Sequence, residues 1–279
     1  MKRLMVTGAN GMTGSEVSER AAGFGWTVLP YSHAKLDITR VEDVTSAVQA
    51  CRPDIIANCA GYTAVDRAES EPALAAAVNA EGARNIARAA AVAGVPIIHV
   101  STDYVFAGDA RAPYAPDSIT APSGIYGRTK LEGEAAVREA TRSHMIIRTS
   151  WVFSHRGHNF VKTIMRLAAE RDELRVVNDQ FGRPTSAADL AQALLVAAGA
   201  LAHDPAYEGT YHFANAGETT WFDFAKGILE ELRAKGENLS TKLVPISTSE
   251  YPTAARRPRY SVLDTSSFTE RFGVVPRPW

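Results

Sequence analysis

Residues 6 to 14 read VTGANGMTG and place Gly8, Gly11 and Gly14 three apart, between a short apolar run and an amphipathic stretch. Glycine permits a tight turn and lets backbone N–H groups come close to a pyrophosphate, while the N-terminus of the following helix adds a partial positive charge. A turn of this kind, set between an N-terminal strand and a helix, predicts a nucleotide-binding α/β fold.

The next 140 or so residues repeat the same alternation. RLMVTG, WTVLPYS, DIIANCA, PIIHVSTD and SHMIIRTSWVF read as strands; SEVSERAAGFG, VEDVTSAVQACR and the long run EPALAAAVNAEGARNIARAAAVAG read as helices between them. That pattern is a Rossmann-type doubly wound parallel sheet. From about residue 155 the pattern changes to separate helices and short strands, which predicts a smaller C-terminal α/β substrate lobe. The expected division is residues 1–154 for the nucleotide-binding domain with the catalytic residues and 155–279 for most of the lobe, with interleaving across the boundary.

Composition narrows the partners. The 279 residues carry 22% charged side chains and a net charge of -1, so nothing favours nucleic acid or an anionic membrane. The apolar stretch Ala193 to Ala202 is too short to span a bilayer. Cys51 and Cys59 lack metal-ligand spacing and are expected to be free thiols in a cytoplasmic protein. A monomer or homodimer is expected.

The segment after Pro122 predicts a helix carrying Tyr126 and Lys130 four residues apart, on one face, so that both can act on one ligand. Leu131, Ala135 and Val137 form a modest apolar stripe. An accidental pair on a solvated helix is the plain alternative. Ketone reduction needs a hydride on carbon and a proton on oxygen, and a phenol beside an ammonium suits the second task. The ammonium is expected to lower the phenol pKa from its ordinary value of about 10.

The glycine spacing and Tyr126-x-x-x-Lys130, with NCAGYTAVDRAESEP, HVSTDYVFAG, IYGRTKLEGE, IIRTSWVF, HNFVKTIMRLA, VVNDQFGRPT, YHFANAGETTWFDFA and RRPRYSVLDT in order, resemble the dTDP-4-dehydrorhamnose reductases of the extended short-chain dehydrogenase/reductase superfamily. The resemblance implies NAD(P)H-dependent reduction of the 4-keto group of dTDP-4-dehydro-L-rhamnose to dTDP-L-rhamnose. It implies Thr102, Tyr126 and Lys130 as catalytic residues. The cofactor would be held by Gly8, Asn10, Gly11, Met12, Gly14, Asp37, Ile38, Ala60, Gly61, Tyr62 and Thr63, with Tyr126 and Lys130. The dTDP-sugar would meet Thr102, Asp103, Tyr104, Trp151, Asn159, Gln180 and Arg257.

No acidic residue follows the second strand where an NAD-selective site grips the ribose diol, and Ser32, His33 and Lys35 could accept a 2′-phosphate. NADPH is therefore expected, with NADH also usable. No metal is expected: relatives that bind magnesium use several glutamates, and only Glu16 keeps its place while Ala188 stands where another would be. Relatives also continue past the position of Trp279 into a final helix. Other readings are a 4-ketoreductase for a different nucleotide deoxysugar, a non-catalytic regulatory subunit, or an epimerase or dehydratase. A dehydratase would need a glutamate where Tyr104 stands.

Overall fold

The computed structural model describes residues 2–279. The chain runs β1 (Lys2–Thr7), α1 (Met12–Arg20), β2 (Trp26–Tyr31), α2 (Val41–Cys51), β3 (Ile55–Asn58), α3 (Val65–Ser70), α4 (Pro72–Ala76), α5 (Gly82–Ala93), β4 (Ile97–Thr102), α6 (Ile125–Ala140) and β5 (His144–Thr149). It continues through β6 (Val152–Phe153), α7 (Phe160–Glu170), β7 (Glu173–Val177), β8 (Phe181–Gly182), β9 (Thr185–Ser186), α8 (Ala187–Leu201), β10 (Gly209–His212), β11 (Thr219–Thr220), α9 (Trp221–Ala234), β12 (Lys242–Ile246) and α10 (Ser266–Phe272).

Six strands form the main sheet in the order β10-β5-β4-β3-β1-β2, every pair parallel. Alternating side chains leave the strands on opposite faces. Leu4, Val6, Ile55, Ala57, Met145 and Ile147 meet α1 and α8 through Val17, Leu190 and Leu194. Met5, Ile56 and Ile97 meet α2, α5 and α6 through Val44, Val48, Ile86 and Val137. A second, smaller core joins α7, β7 and α9 through Ile164, Leu174, Phe224 and Ile228, with β12 parallel to β7.

Three features depart from the sequence reading. The long helix predicted from Glu71 is interrupted at Ala77–Glu81 by a π-turn between α4 and α5. That turn buries Asn79, whose side chain bonds both the N–H and the carbonyl of Tyr62 at 2.8 and 3.1 Å. The short strand β10, GTYH, returns late in the chain to extend the main sheet beside β5. And α6 buries the predicted stripe only in part: Val137 is buried and Leu131 packs against the Val105 and Leu263 cluster, but Ala135 is exposed, while Gly127, Lys130, Gly133 and Glu134 are also buried. The polar members of that face are satisfied within the protein. No described helix is long and apolar enough to cross a membrane.

Candidate active site

A cavity of about 730 Å³ opens at the carboxyl ends of the main sheet, where the strand order reverses between β1 and β3. Gly8, Asn10, Gly11 and Met12 form one wall, and Asp37 and Ile38 lie beyond β2. Ala60, Gly61, Tyr62 and Thr63 follow β3 along the same opening. Gly8 adopts φ +64°, and a Cβ there would lie 2.7 Å from the Ala60 nitrogen. Gly14 does not line the cavity; a methyl group on it would meet the Gly8 carbonyl oxygen at 2.3 Å, so its bareness lets α1 close onto the loop.

Gly11 is the N-cap of α1, makes no side-chain cap, and no acidic residue occupies the first turn. Those N–H groups therefore face the opening without an internal partner from a side chain, as a pyrophosphate requires. The cradle fits a dinucleotide. His33 lines it; Ser32 is buried and Lys35 exposed, and neither is among its lining residues. Asp37 accepts from the Thr39 N–H and hydroxyl at 3.0 and 2.8 Å, bonds that hold its carboxyl below the usual range and fix the turn.

Thr102 ends β4, and its Oγ1 accepts the Tyr104 N–H at 3.2 Å and donates to Asp103 Oδ1 at 3.0 Å. Tyr126 and Lys130 reach the same cavity from the first turns of α6. The helix approaches closely because Gly127 has no Cβ; one would sit 2.1 Å from the Tyr104 carbonyl oxygen. Lys130 Nζ donates to the Val100 carbonyl at 2.7 Å.

The expected lowering of the phenol pKa is not what this environment gives. Burial pushes Tyr126 up to about 12; the facing Thr102 hydroxyl lowers it and the Asp103 carboxylate raises it. Burial also brings Lys130 down to about 8, against the raising effects of Glu134 and Cys59. Desolvation dominates at Tyr126, so the phenol is held protonated, the state a proton donor needs.

Beneath the pair, Glu134 is fully buried and accepts from Ser101 Oγ at 2.6 Å, from Arg148 Nε and Nη2 at 2.8 and 2.7 Å, and from Arg138 at 2.9 Å. Burial acts to raise its pKa, but the Arg148 guanidinium and the other donors hold it at about 2. Arg148 thus has a structural task, binding Glu134 through two nitrogens and donating to the Pro116 carbonyl at 2.9 Å. Asn79 Nδ2 also donates to Thr129 on α6 at 3.1 Å, tying the helix to the π-turn.

Asp103, Tyr104 and Trp151 also line the cavity. Trp151 has φ +47° and stacks on Trp221, which lines the same wall. Asn159, Gln180 and Arg257 lie outside this cavity. Asn159 caps α7 by accepting the Lys162 N–H at 3.2 Å, and Gln180 is buried with its Nε2 on Thr248 Oγ1 at 3.0 Å. Arg257 makes two hydrogen bonds to Asp66, at 2.7 and 2.6 Å, and borders a second cavity of about 960 Å³ with Arg256, Arg259 and Asp179. Trp221 and His158 also line the main cavity, and neither spacing nor composition in the sequence marks them. Glu16 is buried and paired with Arg20 and with His155 Nδ1 at 3.2 Å, and among the described residues no cluster of His, Cys, Asp and Glu is arranged for a metal.

The family model described as RmlD substrate binding domain matches residues 1–279. The chain is 43% identical over 280 residues to the dTDP-4-dehydrorhamnose reductase of Escherichia coli (strain K12), an alignment covering 99% of this chain and 94% of the relative. It superposes on the crystal structure of dTDP-4-dehydrorhamnose reductase from Bacillus anthracis in complex with NADP with a TM-score of 0.91 and 41% identity, covering 100% of this chain and 95% of that one. The dTDP-glucose 4,6-dehydratase DesIV of Streptomyces venezuelae, at 20% identity, TM-score 0.80 and coverage of 99% and 92%, shares the fold.

Proposed function

The chain belongs to the RmlD substrate binding domain family, that of the dTDP-4-dehydrorhamnose reductases, and from that membership we propose that it reduces the 4-keto group of dTDP-4-dehydro-L-rhamnose with NADPH to give dTDP-L-rhamnose. The observation that carries the reading is the convergence of Thr102, Tyr126 and Lys130 on one cavity with the glycine cradle. When bound, NADPH supplies the hydride.

The protein residues handle the carbonyl oxygen. Tyr126, protonated in its buried setting, gives the proton, and Thr102 donates a hydrogen bond to the same oxygen. Lys130, anchored on the Val100 carbonyl, contributes a positive charge as negative charge develops. Gly8, Asn10, Gly11 and Met12 hold the pyrophosphate, Gly14 shapes the loop, and Asp37, Ile38, Ala60, Gly61, Tyr62 and Thr63 border the rest of the cofactor. His33 and Lys35 favour a 2′-phosphate. Asp103, Tyr104 and Trp151 face the sugar; Arg257 takes the diphosphate, with Asn159 and Gln180 shaping the segments around it.

In this reading the substrate lobe is built from α7, β7, α9 and β12, while α8, β10 and α10 return to the nucleotide-binding half, so a division near residue 154 is interleaved. The two free thiols support a cytoplasmic setting. Monomer and homodimer both leave the cavity within one chain. A panel of nucleotide 4-keto sugars, assayed for NADPH oxidation with product stereochemistry by NMR, tests the assignment. Turnover of dTDP-4-dehydro-L-rhamnose to the L-rhamno product is expected; exclusive use of another sugar would reject it.

A further inference from the structure

Asp103 is the least satisfied charged group in the cavity. It is 1% exposed, one carboxyl oxygen is held by Thr102, and the other, Oδ2, is buried with no hydrogen-bond partner. Ser261, also buried, lies beside it with its own hydroxyl unpartnered. A carboxylate in such a place is costly, whereas a carboxylic acid needs one bond fewer from its surroundings.

The hydrogen bonds of Thr102 make that choice matter for the reaction proposed above, on which this inference rests. A hydroxyl has one proton and two acceptor positions. One acceptor position is filled by the Tyr104 N–H. With Asp103 ionised, the single Thr102 proton is committed to Asp103 Oδ1 and points away from a substrate carbonyl. With Asp103 protonated, the carboxyl O–H fills the second acceptor position of Thr102, and the Thr102 proton is free to turn to the substrate.

We propose that Asp103 is a positioning residue whose protonation state sets the direction in which Thr102 donates, and that the protein reduces its substrate in the form with Asp103 protonated. The environment brings the protonated form within reach at mildly acidic pH: burial raises Asp103 to about 6, against the lowering effects of Ser261, Thr102 and the nearby backbone N–H groups. The other ionisable groups facing this corner are Tyr104 beside it, Tyr126 and Lys130 from α6, and the Arg257 and Asp66 pair on the far side of Tyr104.

The test is the pH dependence of kcat/KM for dTDP-4-dehydro-L-rhamnose with saturating NADPH, from about pH 5 to 9, which reports ionisations of the free site. Wild type should lose about tenfold per pH unit above the Asp103 transition, a limb separate from the higher one set by Lys130. Asp103→Asn, which cannot ionise, should lack the lower limb and keep the higher. Ser261→Ala removes the buried hydroxyl beside Asp103 that favours its ionised form, and should shift the lower limb to higher pH. A lower limb that persists in Asp103→Asn, or that Ser261→Ala leaves in place, would overturn the inference while the reduction stands. Absence of NADPH oxidation at every pH would reject the reduction and the inference together.

Discussion

The Trp151 and Trp221 indoles lie face to face, with ring centroids 3.5 Å apart and planes within 9° of parallel. Trp151 follows the fifth strand and Trp221 opens α9 some seventy residues later, so the stack joins the nucleotide-binding half to the lobe at the cavity wall. Gly182 makes room for it: a Cβ there would lie 2.4 Å from the Trp151 ring. Trp151 reaches this place only through a left-handed backbone, which costs about 1 to 3 kcal/mol.

Removing the stack with Trp221→Ala should leave Trp151 without its support. An aromatic pair contributes about 0.5 to 1.5 kcal/mol beyond its area, so the KM for the sugar nucleotide should rise about two- to twelvefold. NADPH affinity, measured by fluorescence titration, should be unchanged. An equal loss for both ligands would place Trp221 in the cofactor site instead.

Gly14→Ala should distort the phosphate loop, because its methyl group would meet backbone atoms and no side chain can move aside. Overpacking of this kind costs about 1 to 3 kcal/mol. The expected result is weaker NADPH binding with a lowered Tm. Unchanged binding would mean that the loop tolerates a shifted α1.

The parts of this architecture that were legible in the sequence are those written in local pattern. Leu4, Val6, Ile55 and Ile97 announce parallel strands because both sheet faces are covered, and the glycine loop lies between a strand and a helix as its chemistry requires. Tyr126 and Lys130 were legible through helical spacing. What stayed hidden depends on distant partners. Glu134 reads as a surface residue until Arg148 and Ser101 surround it; Trp221 reads as core until Trp151 stacks on it. The strand β10 is short, begins with glycine and carries the fully buried His212, so only its pairing with β5 reveals it. The protonation of Tyr126 is not legible either, because helical spacing shows the lysine but not the burial that sets the phenol pKa.

Arg257 holds Asp66 through two hydrogen bonds at the edge of the second cavity, and an incoming diphosphate would meet a guanidinium already oriented. Arg257→Ala should raise the KM of the sugar nucleotide about 10- to 150-fold, the range for hydrogen bonds to a charged group of about 1.5 to 3 kcal/mol. Arg257→Lys should recover only part of this, since an ammonium lacks the planar fork. An unaltered KM in both variants would remove Arg257 from substrate binding.

Acid should destabilise the fold in two overlapping ranges. Burial drives His212 down to about 3, with Arg148 adding to the effect, so the unfolded chain takes up a proton first and stability falls as pH drops below 6.5 toward 3. Glu134, held at about 2 in the fold, supplies stability that is present above 4.5 and lost as pH falls toward 2. Urea unfolding at about pH 7, 5 and 3.5 should show a progressive fall. Glu134→Gln should be less stable than wild type at neutral pH and should lose less on acidification; equal pH dependence in the two would contradict the assignment.

In the proposed reaction Tyr126 protonates the carbonyl oxygen of a 4-keto sugar nucleotide while NADPH is oxidised, and the most direct measurement of that role compares wild type with Tyr126→Phe. Turnover of dTDP-4-dehydro-L-rhamnose followed by NADPH absorbance, with NADPH binding measured separately, should show kcat lowered by at least about a hundredfold and cofactor affinity retained. A Tyr126→Phe variant that turns over at the wild-type rate would contradict the account.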